Sequence, residues 1–135
     1  MKKTYPILDF DSERSAVLDP HDVIARNDEM PERCVVCFFQ NVIDDLVARN
    51  QVALITCFRS EMGQHPIYLI RDTEPRIAIF QPGIGAPLTA ALFEEVIALG
   101  GRKFIACGTT GVLKSSITSG ELLVPIEAVR DEGTS

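Results

Sequence analysis

The residues best suited to chemistry gather in two glycine loops, Gly83-Ile84-Gly85-Ala86-Pro87 and Gly108-Thr109-Thr110-Gly111. Each follows an apolar run of strand type. Glycine lets backbone N–H groups come close to a ligand. Pro87 suits the first turn of a helix, where its missing N–H costs nothing. A helix starting there aims the positive end of its dipole at the loop. Thr109 and Thr110 add hydroxyls, so the set suits an anion, a sugar hydroxyl or a carbonyl. Neither loop is a nucleotide fingerprint. The third glycine of the dinucleotide motif is replaced by Leu88, and no Gly-Lys-Ser/Thr is present. The plainer reading of each loop is a turn at a strand end, and of each threonine a turn residue bonding locally.

Other chemistry has less support. His21 and His65 are the only histidines, and no Gly-x-Ser-x-Gly elbow accompanies them. His65 reads as a surface turn residue at a strand entry, before Pro66, and His21 as part of a polar arm. Glu94 and Glu95 are adjacent on a helix and diverge, so one faces solvent and a catalytic pair is not expected. Arg59-Ser60-Glu61 follows a strand, and its plainer reading is a surface ion pair. Cys34-Val35-Val36-Cys37 has the spacing of a metal or redox motif, but no second such pair follows. In a strand, positions three apart face opposite sides. All four cysteines (Cys34, Cys37, Cys57 and Cys107) lie in apolar runs and read as core, with no metal site.

The elements that must position these loops follow from periodicity. Residues 1–33 read as a polar, extended arm with 8 acidic and 5 basic side chains, and Asp19-Pro20-His21-Asp22 as a turn. Strand-type runs follow at 34–39, 52–58, 67–70, 76–80, 103–107 and 121–129, with 67–70 and 76–80 suited to a hairpin. A helix at 41–50 puts Val42, Ile43, Leu46 and Val47 on one face. A second, from Pro87 to about Leu99, carries Leu88, Ala91, Leu92, Val96 and Leu99, and Gly100-Gly101 closes it. Strand, glycine turn, helix, strand is a βαβ unit with parallel strands. The expected fold is α/β, a largely parallel sheet with some antiparallel pairing before it. Ligands of such sheets bind at the carboxyl ends of the strands. The site therefore requires the two loops to meet above neighbouring strands.

Composition bounds the function. The chain has 135 residues, 46% hydrophobic and 24% charged, an ordinary globular balance for about one domain. Thirteen basic and 19 acidic side chains give a net charge of −6. That acidity argues against nucleic acid or an anionic membrane as partner. No apolar run approaches the roughly 20 residues that span a bilayer, and no leader is visible. A cytoplasmic protein is expected, in keeping with thiols kept reduced.

The order of the loops resembles the purine-nucleoside and uridine phosphorylase family, closest to its uridine phosphorylase branch. The motifs are Gly83-Ile-Gly85-Ala-Pro87-Leu-Thr89, Glu94-Glu95, Leu99-Gly100, Gly108-Thr-Thr-Gly111, Ile117, Gly120, Leu123-Val124, Ala128-Val129-Arg130 and Gly133-x-Ser135. The resemblance covers about residues 75–135, and residues 1–70 match poorly. It implies a twisted mixed sheet with flanking helices, and cleavage of a nucleoside's N-glycosidic bond by inorganic phosphate to a free base and a pentose 1-phosphate. Phosphate is then the co-substrate and no cofactor is needed. It implies phosphate and ribose contacts at Gly85, Gly108 and Thr109, with Thr110 and Gly111 beside the base; no catalytic residue is assigned. Three positions depart from the family. Ala106 stands where an arginine usually grips phosphate, Leu88 where a serine is usual, and the N-terminal Gly-Asp-Pro-x-x-Arg loop is absent. A nucleosidase of the same fold, using water, and an inactive binding or oligomer module are the alternatives. Family members are about twice this length, so residues 1–135 read as one partial domain, an N-terminal half with weak turnover alone. A homo-oligomer is also implied.

Overall fold

Alternating apolar runs pair into one five-stranded sheet in the computed structural model, which describes residues 12, 13, 15–129, 133 and 134. In chain order the elements are α1 (Pro20–Val23), β1 (Arg33–Cys37), α2 (Gln40–Ala48), β2 (Val52–Ser60), β3 (Gly63–Ile70), β4 (Ile77–Phe80), α3 (Ala86–Leu99) and β5 (Lys103–Cys107). The strands are ordered β2-β3-β4-β1-β5. β1 pairs in parallel with both β4 and β5, whereas β3 is antiparallel to β2 and β4. Only β3 runs against the others, so the sheet is mixed and largely parallel, as expected. The β4–α3–β5 crossover is the βαβ unit read from the sequence, with β1 inserted between its strands.

The two faces of β1 hold separate cores. Cys34 and Val36 pack with Met30, Ile67, Ala78, Phe80, Val96 and Leu99 on the α3 side. Cys37 packs with Ile43, Val52 and Ile79 on the α2 side. The alternation of a strand thus separates the two cysteines. Gly100, at φ +136°, closes α3, and its N–H and that of Gly101 take up the carbonyls of Ile97 and Val96.

Several expectations are corrected. Asp19–Asp22 is not a free turn. Asp19 caps α1 by accepting from the His21 N–H at 2.9 Å. The arm enters the core at its end, where Met30 and Pro31 are buried. The 67–70 and 76–80 runs do pair antiparallel, as β3 and β4, but the 67–70 strand begins earlier, at Gly63, and a second, tighter hairpin joins β2 to β3. On α2 only Ile43 is buried, with Val42 and Val47 exposed. On α3, Ala98 rather than Ala91 faces inward. Of the cysteines, Cys34 and Cys37 are buried, but Cys57 is half-buried and Cys107 exposed.

The largest correction is at 121–129, which forms no strand. Leu122 is 93% and Ile126 91% exposed. A strand satisfies its N–H and C=O groups only through a neighbour's ladder. No described strand pairs with this segment, and Pro125 contributes no donor. β5 is an edge strand for the same reason, with Ile105 67% exposed. Among the described residues, no helix is long and apolar enough to cross a membrane.

Candidate functional site

The first loop is built for an open helix start. Gly83 has φ +80°, and a Cβ there would overlap the Leu88 side chain, so only glycine fits. Gln81 Oε1 accepts from the Gly83 N–H at 2.8 Å and fixes the turn. Gly85, at φ +89°, is the N-cap of α3 and offers no side-chain cap. Its carbonyl accepts from the Thr89 N–H at 3.0 Å. The N–H groups of the first turn therefore point outward without an intrahelical partner, and the space around Gly85 is open.

The second loop leaves β5 and meets the first across β1. A cavity of about 420 Å³ is lined by Phe38, Ile84, Ala106, Gly108 and Thr109. The strands below the loops are not neighbours, since β1 stands between β4 and β5. The side chain on the intervening strand's end is Phe38. It packs against Gly108, where a Cβ would lie 3.4 Å from its ring. The loops still share one wall, through Ile84 and Thr109. Ile84 belongs to the first glycine loop, and Phe38 is the lining residue that the motif reading missed. Its signal was positional, since the residue after the strand between two loops must floor the space joining them.

A second cavity, about 340 Å³, adjoins the first at Gly108 and Thr109 and is otherwise lined by Thr110, Val112 and the 117–123 segment. Thr109 is thus on the wall between the two. Thr110 lines only the second and donates to Gly111 O at 3.4 Å, the local bond expected of a turn threonine. Gly111 lines neither cavity. The one charged lining residue is Glu121. Bonds from the Thr118 hydroxyl and from the Thr118 N–H (3.1 Å) hold its carboxyl below the usual range. An ionised Glu121 repels an anion from the second cavity. The first, with the start of α3 beside it, is the more favourable place for negative charge.

The remaining candidates lie elsewhere. Arg59 is on β2, opposite Gln64, at the far edge of the sheet, and makes no ion pair with Glu61 among the described residues. His65 is a half-buried residue of β3, not of a turn, and its Nε2 bonds Ser60 Oγ at 2.7 Å. His21 lines a separate cavity of about 270 Å³ with Glu94. Glu94 faces solvent, whereas Glu95 Oε2 is buried without a hydrogen-bond partner among the described residues.

The family model of the phosphorylase superfamily matches residues 32–135. The chain belongs to the phosphorylase superfamily. The match begins at β1, well upstream of residue 75, where the resemblance is expected to begin, so residues 32–70 belong to it as well. The strands between carry only apolar patterning and no glycine signature, so their kinship was not readable from motifs. Relatives include the uridine phosphorylase of Thermococcus kodakarensis, 44% identical over 44% of this chain and 21% of its own length. The Escherichia coli uridine phosphorylase is 34% identical over 59% of this chain and 28% of its own. The guanosine phosphorylase of Halorubrum lacusprofundi is 37% identical over 44% of this chain and 24% of its own. The matched regions span about a quarter of the length of these relatives.

Proposed function

We propose that the protein is a nucleoside phosphorylase whose phosphate and pentose sit at the joined loops. The observation that carries this reading is the single cavity shared by Ile84, Gly108 and Thr109 beside the uncapped start of α3. Phosphate takes N–H donors around Gly85 and Gly108 and the Thr109 hydroxyl. The pentose lies against Thr109, and the base extends toward Thr110 and Gly111. A phosphate oxygen attacks the anomeric carbon as the glycosidic bond breaks and its electron pair leaves with the base nitrogen. Positive charge develops on the sugar, so an anion fixed beneath it stabilises the transition state more than the ground state. Uridine and guanosine phosphorylases among the relatives support a nucleoside of pyrimidine or purine type. Free, buried thiols at Cys34 and Cys37 support a cytoplasmic protein, and the edge position of β5 supports a homo-oligomer.

Ala106 favours a second reading. It lines the cavity where the family's phosphate-gripping arginine is expected. Without a bidentate guanidinium, phosphate is held less tightly, and water becomes a competitor as nucleophile. The deciding experiment follows base release from uridine, inosine and guanosine with and without phosphate. Phosphate-dependent release with pentose 1-phosphate as product supports phosphorolysis. Equal release without phosphate establishes the hydrolase, and no release in any condition overturns both. Thr109→Ala should weaken phosphate binding roughly fivefold, the worth of one neutral hydrogen bond, measured by calorimetry.

A further inference from the structure

We propose that Cys37 and Cys107 are a reversible dithiol–disulfide pair that sets the position of the Gly108–Thr109 loop. The two residues are partners in the parallel β1–β5 register. The Phe38 N–H donates to Cys107 O at 3.0 Å and locks that register at its end. In-register residues of neighbouring strands project to the same face. Ala106 lines the α3-side trough with Val36, Phe38 and Phe104, so Cys107 projects to the opposite face, where Cys37 packs with Ile43 and Ile79.

Neighbouring strands lie ~4.8 Å apart, inside the Cα separation of roughly 4.4–6.8 Å that a disulfide accepts. Their Cβ atoms start somewhat farther apart than a relaxed disulfide prefers, so one strand must be drawn in. The strand drawn in is β5, because among the described residues it pairs with β1 alone. A bond formed under such a pull is easily reduced, the property of regulatory rather than structural disulfides.

The other thiols are poorly placed. Cys34 faces the opposite core, and burial pushes its thiol up to about 11, which leaves it unreactive near neutral pH. Cys57 is on β2, three strands away from β1. Cys107 is exposed and meets the oxidant first, while Cys37, whose thiol donates only weakly to Phe39 O at 3.6 Å, is the resolving partner. With hydrogen peroxide as oxidant, the Cys107 sulfur attacks one peroxide oxygen and the O–O bond breaks. This leaves a sulfenic acid and releases one water, which carries the thiol proton. The Cys37 sulfur then attacks the sulfenic sulfur, the S–O bond breaks, and a second water leaves with the Cys37 proton. Two thiols and one peroxide thus give one disulfide and two waters.

Cys107 directly precedes Gly108. Drawing it toward β1 shifts Gly108 and Thr109 against Phe38, which narrows the cavity. This consequence rests on the anion-binding reading above, whereas the disulfide does not. The test treats the whole chain with a small excess of peroxide, quenches free thiols and maps peptides by mass without reduction. The expected result is a linked pair containing Cys37 and Cys107, lighter by two hydrogens. It should persist in Cys57→Ser, disappear in Cys107→Ser and reverse with dithiothreitol. Over-oxidised Cys107 beside an unmodified Cys37, or linkage through Cys57, would overturn the pair. Phosphate titration of the same samples should show affinity falling several-fold on oxidation and recovering on reduction, with Cys107→Ser insensitive. Unchanged affinity in a fully linked sample overturns the coupling. Absence of phosphate binding in the reduced protein counts against the anion site and leaves the linked peptide standing.

Discussion

At the scale of single residues, Ala106 and Gly83 carry the most discriminating consequences. Ala106 shares its cavity with Gly108 and Thr109, so a guanidinium introduced there reaches the space assigned to phosphate. Ala106→Arg should tighten phosphate binding by on the order of tenfold, the worth of a charge-assisted pair of hydrogen bonds. An unchanged phosphate isotherm would mean that the anion sits elsewhere. Gly83 combines φ +80° with a missing Cβ that Leu88 would otherwise meet. Gly83→Ala should cost about 2 kcal/mol in urea denaturation through backbone strain and displaced Leu88. Gly83 was legible because glycine at a strand end announces special backbone, and Ala106 because the resemblance marks its place for an arginine. Phe38 was not, since an apolar residue in an apolar run carries no signal until the strand order places it between two loops.

At the scale of elements, α3 is held against the sheet by apolar contacts that Glu95 interrupts. Burial raises the Glu95 carboxyl above its ordinary range, and His65 on β3 pulls weakly the other way. With no hydrogen bond to Oε2 among the described residues, ionisation is uncompensated. A carboxyl whose folded value is raised favours folding below its unfolded value, near 4.3. That contribution is lost as pH rises through the folded value. Glu95→Gln should therefore be more stable than the parent at about pH 7 and nearly equal to it at about pH 3.5. Urea midpoints at both pH values check this, and a loss at neutral pH would mean that the carboxylate has a partner the folded chain hides. The order of helices and the βαβ unit were readable from periodicity, because each buries an apolar stripe against the sheet. The 121–129 segment has the same apolar content but no ladder to join. Pattern alone states that a segment is able to be a strand, and pairing decides whether it is one.

At the scale of the whole molecule, the described sheet ends in two edge strands, β2 and β5. β5 leaves Ile105 exposed, and its outer row of backbone donors and acceptors has no partner among the described residues. Such an edge templates pairing with another chain, and the exposed Leu122, Val124 and Ile126 add apolar surface nearby. The opposing force is charge. A net −6 separates copies at neutral pH, and this vanishes near the isoelectric point of about 4.8. Self-association should therefore rise with concentration at pH 7 and rise further as pH falls toward that point. Ile105→Lys places a cation on the open edge without removing a buried contact, so its unfolding free energy should stay within about 1 kcal/mol of the parent. Its sedimentation at neutral pH should shift toward the monomer. If the variant associates as strongly as the parent while remaining folded, copies meet through some other surface, and β5 is not the edge that joins them.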